Sequence, residues 1–284
     1  MTEPTRVCVL VDEPRLAPMQ ARALTRMVEE TPAEITLVVE RAGRDRRSLA
    51  ETLRRAADLR EWAMVAPVAA TFARLSARPS LGERCIPLDV VAATADADTI
   101  SCTPDVVDGW KYVFPERVVD EMAASADVAV LMGFGFLTGR ILDASTHGVL
   151  GIHHGDVREY RGQPMGFWEF VNGEPTAGVT LQRLTETLDG GEVVYRKRVD
   201  IRGAHRWGEV KAALYDASED LLAEGIRRLR DDDFTPERPD TLGTMYSHPT
   251  GAAVGRYLVR TAAGALASGV SGHSVGDTTL TRNE

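Results

Sequence analysis

The sequence is short of cysteine, lysine and long apolar runs, and each shortage narrows the field. Cys8, Cys85 and Cys102 are its three cysteines, and they are scattered with no CxxC pair. That spacing argues against a disulfide framework or a zinc knuckle and favours a reducing cytoplasm. Only Lys111, Lys197 and Lys211 are lysines, and 33 basic residues stand against 42 acidic ones, for a net charge of -9. A nucleic-acid binder carries a basic excess or stripe, so no nucleic-acid partner is expected. The longest apolar runs, such as 128–137, fall well short of the roughly 20 residues that span a bilayer. The opening MTEPTRVCVL lacks a basic region leading into a long apolar stretch. Neither a signal peptide nor a membrane segment is expected. A phosphate-binding GxGxxG is missing too: DEPRLAP follows the first apolar run, which counts against a dinucleotide enzyme.

What is present suits a soluble globular chain. The 284 residues are 44% hydrophobic and 26% charged, enough for one large or two small domains. RVCVLVD (6–12) reads as a buried strand, 16–30 as a helix with Met19, Leu24 and Met27 turned inward, and EITLVV (34–39) as a second strand. Strand, helix and strand in that order predict a βαβ unit in a parallel sheet. Further along, 45–78 reads as helix, 96–102 as strand, 115–124 as helix, 127–132 as strand and 138–144 as a short helix. Strands are expected at 148–154, 178–184 and 192–201, the last with a solvent-facing alternation. Helices are expected at 165–172, 207–230 and 252–267, with 234–250 as loop. The Ser/Gly/Thr-rich end reads as frayed.

Residues 131–200 hold most of the functional signal. A strand ends in the glycine turn Gly133-Phe134-Gly135, at the sheet edge where parallel sheets bind ligands. His153 and His154 stand together at another strand end, Tyr160-Arg161-Gly162 follows in a polar turn, and Asp189 precedes Gly190-Gly191 between two strands. Neighbours in a strand point to opposite faces, so the two histidines share a metal only if the strand has already ended. They read equally as one hydrogen-bonded structural residue and one surface residue. A histidine becomes a general acid or base when a carboxylate orients it, and Asp189 and Asp156 are the carboxylates available.

These pieces resemble the catalytic domain of the formyltransferases that use formyl-tetrahydrofolate. That family includes the glycinamide ribonucleotide, methionyl-tRNA and nucleotide-sugar formyltransferases. GIHHGDVREYRG (151–162) is similar to the family's Asn-x-His-Pro-Ser strand end and its Tyr-Arg-Gly. GVTLQRLTETLDGGEVV (178–194) is similar to its Gly-Val-Thr strand and Leu-Asp-x-Gly turn. The resemblance implies an α/β fold with a Rossmann-like, mostly parallel sheet flanked by helices and a short helical C-terminal extension. It implies a catalytic domain over 1–204, a helical extension over 205–268 packed on it, and a flexible tail over 269–284.

The resemblance also implies roles. His153 would bind the developing oxyanion or shuttle the proton, and Asp189 would hold that histidine or an ordered water. Met132, Gly133, Phe134, Gly135 and Leu137, with Leu188, Gly190 and Gly191, would border formyl-tetrahydrofolate, the co-substrate; no metal is expected. Arg161 would shape its turn or form a buried ion pair. Three family residues are changed. The asparagine falls on Gly151, the proline on His154 and the serine on Gly155. Loss of one oxyanion donor typically slows such a reaction by ~10²–10³. His154, oriented by Asp156, is the expected replacement if the chain turns there.

The acceptor expected is the amine of a small metabolite. Residues 205–284 hold nine basic and twelve acidic side chains, an acidic balance that disfavours transfer RNA. Trp110, Lys111, Tyr112, Phe167 and Trp168 are candidates for an acceptor pocket or for core. A homodimer is left open. The alternatives to a transferase are a formyl-tetrahydrofolate hydrolase and a catalytically impaired folate-binding protein of the same fold.

Overall fold

The computed structural model describes residues 3–43 and 85–270; the helix expected over 45–78 lies outside them, as does the chain after 270. Seven strands form the main sheet: β1 (Thr5–Val11), β2 (Ala33–Arg41), β3 (Asp98–Cys102), β4 (Val128–Leu131), β5 (Val149–His153), β6 (Thr176–Arg183) and β7 (Glu192–Asp200). In space they run β3-β2-β1-β4-β5-β6-β7. The first five are parallel, β6 runs against β5, and β7 against β6. The chain winds outward from β1 to one edge, then returns to β4 on the other side. Ligands of such sheets bind beyond the carboxyl ends of the strands.

The centre is apolar on both faces, which is why β1 reads as an unbroken hydrophobic run. Val7, Val9 and Val11 face one layer, while Cys8 and Leu10 face the other, all essentially sealed from solvent. The first layer holds α1 (Pro18–Glu30), α3 (Phe167–Asn172), α4 (Trp207–Ser218) and α5 (Leu221–Leu229). In α1 the expected inward residues Met19, Leu24 and Met27 are buried. The second layer holds α2 (Glu116–Ser125), which inserts Val118, Val119 and Met122. A last helix, α6 (Ala252–Val270), follows the loop after α5. No described helix is long and apolar enough to cross a membrane.

Four sequence expectations need correction. The helix expected over 138–144 is one 3-10 turn, Arg140–Leu142, entered from Gly139 at φ 83°. The helix expected over 207–230 is two helices, broken at Glu219–Asp220. There Ser218 donates its hydroxyl hydrogen to the Leu214 carbonyl, 2.7 Å, and Asp220 pairs with Lys197 of β7. The expected loop 234–250 contains a strand, Thr244–Tyr246, pairing in parallel with Tyr160–Gly162. Finally, β7 is not simply solvent-facing. Helix α5 packs against it, so Val194 and Val199 join the core.

Candidate active site

Strand β5 carries the two histidines to the carboxyl edge of the sheet and sends them to opposite faces. Val149 lies in the α2 layer and Leu150 in the α1 layer. Alternation then places Gly151 and His153 with Val149, and Ile152 with Leu150. His153 is 9% exposed. Its Nε2 donates to the Tyr160 carbonyl, 3.1 Å, and its Nδ1 stands 3.4 Å from Oδ1 of Asp189. That second gap is long for a direct hydrogen bond and short for an ion pair. Both ring nitrogens face oxygen acceptors, so both contacts become hydrogen bonds only when both nitrogens carry hydrogen.

Asp189 reaches this position because the β6–β7 loop turns tightly. Its backbone φ is 45°, the left-handed region that aspartate tolerates better than most residues. Its Oδ2 accepts the Gly162 backbone N–H at 2.9 Å, leaving Oδ1 for the histidine. Arg161 braces the same loop. It donates to the carbonyls of Leu188, 3.2 Å, and Gly243, 2.9 Å, so backbone oxygens rather than a carboxylate receive it. Glu186 ties the loop to the segment just after Phe136–Leu137, accepting from the Thr138 hydroxyl and the Gly139 N–H. Those two donors, the Gly139 amide first, hold its carboxyl below the usual range.

Two of the changed family positions have a local physical meaning. A Cβ on Gly155 would come within 2.6 Å of both His153 Nε2 and the Tyr160 carbonyl oxygen. Only glycine leaves room for that bond. A Cβ on Gly151 would meet Cδ2 of Leu184 at 2.8 Å, so the leucine fills the space beside the strand.

A cavity of about 450 Å³ opens beside the loop that bears Asp189. Leu142, Leu184, Pro239 and Leu242 give it apolar walls, while Arg183, Glu186 and Thr187 supply polar groups. Gly190 lines it as well, the neighbour of Asp189 in the loop. Among the eight residues expected at the co-substrate, Gly190 is the one in this lining. Phe134 is buried edge-on against Phe114, and Leu137 is buried in the α2 layer. Met132 packs against the opposite layer. Gly133 backs onto Asp12, Gly135 stands beside the Tyr112 ring, Gly191 donates to Gln182, and Leu188 is exposed. Sequence reasoning missed the cavity walls at Leu184, Glu186 and Thr187, which carried no separate signal.

The structure does not bring His154 to the pair. Its ring packs edge-on against Tyr215 of α4, centroids 5.3 Å apart, and Nε2 is buried without a hydrogen-bond partner among the described residues. Burial, with the neighbouring His153 ring, lowers its pKa to about 4. Asp156 does not orient it: that carboxylate accepts from Arg196 at 3.0 Å and from the Arg158 backbone N–H at 3.1 Å. The expected replacement donor is thus on the wrong face: β5 ends at His153, and His154 lies against α4 instead of turning toward the pair. Of the aromatic candidates, Phe167 is core and Trp168 stacks on Tyr246, while Trp110 is exposed beside Phe136.

Residues 89–226 match the family model described as formyl transferase. The methionyl-tRNA formyltransferase of Bacillus licheniformis is 29% identical over 146 residues, covering 49% of this chain and 46% of the relative. This chain therefore spans about half the length of the curated relatives it matches. Glycinamide ribonucleotide transformylase 1 from Symbiobacterium toebii superposes with a TM-score of 0.54 at 16% identity, over 86% of this chain and 96% of that one. A formyltetrahydrofolate deformylase from Pseudomonas syringae pv. tomato gives the same score and identity, over 86% and 67%. The resemblance read from the motifs is borne out, and the sheet is a formyltransferase fold.

Proposed function

We propose that this chain, whose residues 89–226 match the formyl transferase family model, moves a formyl group from formyl-tetrahydrofolate to the amine of a small metabolite. The observation that carries the reading is the His153–Asp189 contact, made by a loop whose Gly190 lines a cavity of about 450 Å³. That volume exceeds what a bicyclic pterin needs and falls within the usual range for ligand sites. Leu142, Leu184 and Leu242 would hold its ring faces, and the polar edge near Thr185–Thr187 would meet its nitrogens and oxygen. The formyl group would then point toward the loop that bears Asp189.

Acyl transfer to an amine requires the amine to lose a proton and the folate nitrogen to gain one. The His153–Asp189 pair handles that proton. Asp189 Oδ1 is the carboxylate oxygen not taken by Gly162, and it shares the site with Nδ1 of the ring. With Nε2 tied to the Tyr160 carbonyl, the shuttle role suits His153 better than oxyanion binding. The small acceptor rests on charge: a net -9 disfavours a polyanionic acceptor.

The test is incubation with formyl-tetrahydrofolate and a panel of amine metabolites, followed by mass spectrometry. One amine should gain a formyl group as the folate loses it. Formate released at the same rate without any amine would instead mark a hydrolase.

A further inference from the structure

Formyl transfer needs an N–H or O–H aimed at the oxygen on which negative charge develops. Neither nitrogen of His153 is free for this, since Tyr160 and Asp189 hold them. Gly151 has no side chain, and Leu184 crowds its place. His154 points to the other face. Strand β6, however, offers a donor. Gln182 sits directly across the antiparallel ladder from Gly151. Directly opposed residues project to the same side, about 5 Å apart at Cβ, so Gln182 shares the His153 face.

The carboxamide of Gln182 is held in one orientation. The residue is 3% exposed, and its Oε1 accepts the Gly191 backbone N–H at 2.9 Å. An N–H meets only an acceptor, so this bond fixes which end of the amide is oxygen and turns the NH₂ away from the loop. Among the described residues no acceptor takes those hydrogens. A buried amide with one end pinned and the other unused is a preorganised donor. It lies between the strand that bears His153 and the loop that bears Asp189.

We propose that Gln182 is a catalytic residue that donates a hydrogen bond from its carboxamide nitrogen to the formyl oxygen. The inference rests on the formyl-transfer reading above. The amine lone pair forms a bond to the formyl carbon while the C=O π pair moves onto oxygen. The Gln182 N–H holds that oxyanion. The pair then returns, the C=O re-forms, and the bond to the folate nitrogen breaks. The proton shed by the amine ends on that nitrogen; Gln182 keeps both hydrogens and nothing is oxidised.

The test compares two folate analogues by titration calorimetry. One carries, at the formyl position, an aldehyde that hydrates to a tetrahedral diol; the other carries a methyl group there. The wild-type chain should prefer the diol. Gln182→Met should lower that preference by about tenfold or more, the effect of leaving a buried polar group unpaired, with methyl-analogue affinity unchanged. Gln182→Glu keeps an oxygen for Gly191 and should lose the same preference. An unchanged preference in both variants overturns the proposal, as does loss of both analogues by both variants, which would mark a structural role. A wild-type chain that binds neither analogue defeats the folate reading itself, and the Gln182 role with it.

Discussion

His153 and His154 are adjacent in the chain, and the sheet makes them different groups. On the face of His153 the neighbours are a carbonyl, a carboxylate and a glycine that makes room for the ring. On the face of His154 the neighbour is the Tyr215 ring, and no described residue bonds its buried Nε2. The first environment offers hydrogen-bond acceptors to a charged ring; the second penalises charge and holds the pKa at about 4. A residue type in a motif therefore says little until the backbone fixes which side it faces. Here one peptide unit separates an imidazole set between a carbonyl and a carboxylate from one packed on an aromatic ring.

The comparison is broken most decisively by replacing each ring in turn. His153→Ala should lower formyl transfer by ~10²–10⁴, the usual contribution of a positioned acid–base group. His154→Leu should leave the rate within a few-fold. Equal losses in steady-state kinetics would dissolve the distinction between the two faces.

A smaller effect concerns acid stability. The folded His154 titrates near 4 but its unfolded form near 6.5. As pH falls through that window the unfolded chain takes up a proton that the folded chain refuses. Stability present above 6.5 is thus lost on the way down, by about 3 kcal/mol. Glu169 of α3 works in the opposite sense. Burial raises its carboxyl from 4.5 to about 7, so the folded chain keeps a proton that the unfolded one releases, and stability falls by about 3 kcal/mol as pH rises from 4.5 to 7. Over 4.5–6.5 the two slopes oppose each other. His154→Leu should expose the Glu169 slope, with denaturation midpoints falling as pH rises. Glu169→Gln should expose the reverse. A variant profile as flat as the wild type in urea titrations would contradict the assignment.

The least disruptive change sharpens the His153 side. Gly155→Ala should destabilise the fold by about 1–3 kcal/mol, because the new methyl overlaps the His153 ring and the Tyr160 carbonyl. It should also reduce the rate by displacing the ring. Wild-type activity and stability in this variant would show that the Nε2–Tyr160 bond is dispensable.

Much of the sheet was legible in the sequence because β1 and β2 are sealed on both faces and so read as apolar runs. Helix α1 showed its inward Met19, Leu24 and Met27 by spacing alone. The break between α4 and α5 was not legible, since Glu219 and Asp220 are ordinary helix residues and it is Lys197, on another strand, that engages Asp220. At the site, alternation announced that His153 and His154 face apart, but not that they stay apart although β5 ends at His153. The likeness to known motifs singled out His153 and Asp189, and the fold brings them together. It named the backbone of 132–137 beside the co-substrate, and none of those residues is in the lining of the described cavity, Phe134 and Leu137 being core. The walls come instead from 183–187, whose pattern continues a strand and carries no separate signal.

The central claim is that His153 and Asp189 act as one unit in transfer. A double-mutant cycle on kcat/KM with His153→Ala and Asp189→Ala tests it directly. The account predicts that the double variant is hardly slower than the slower single variant. Losses that multiply would mean two independent groups and would contradict it.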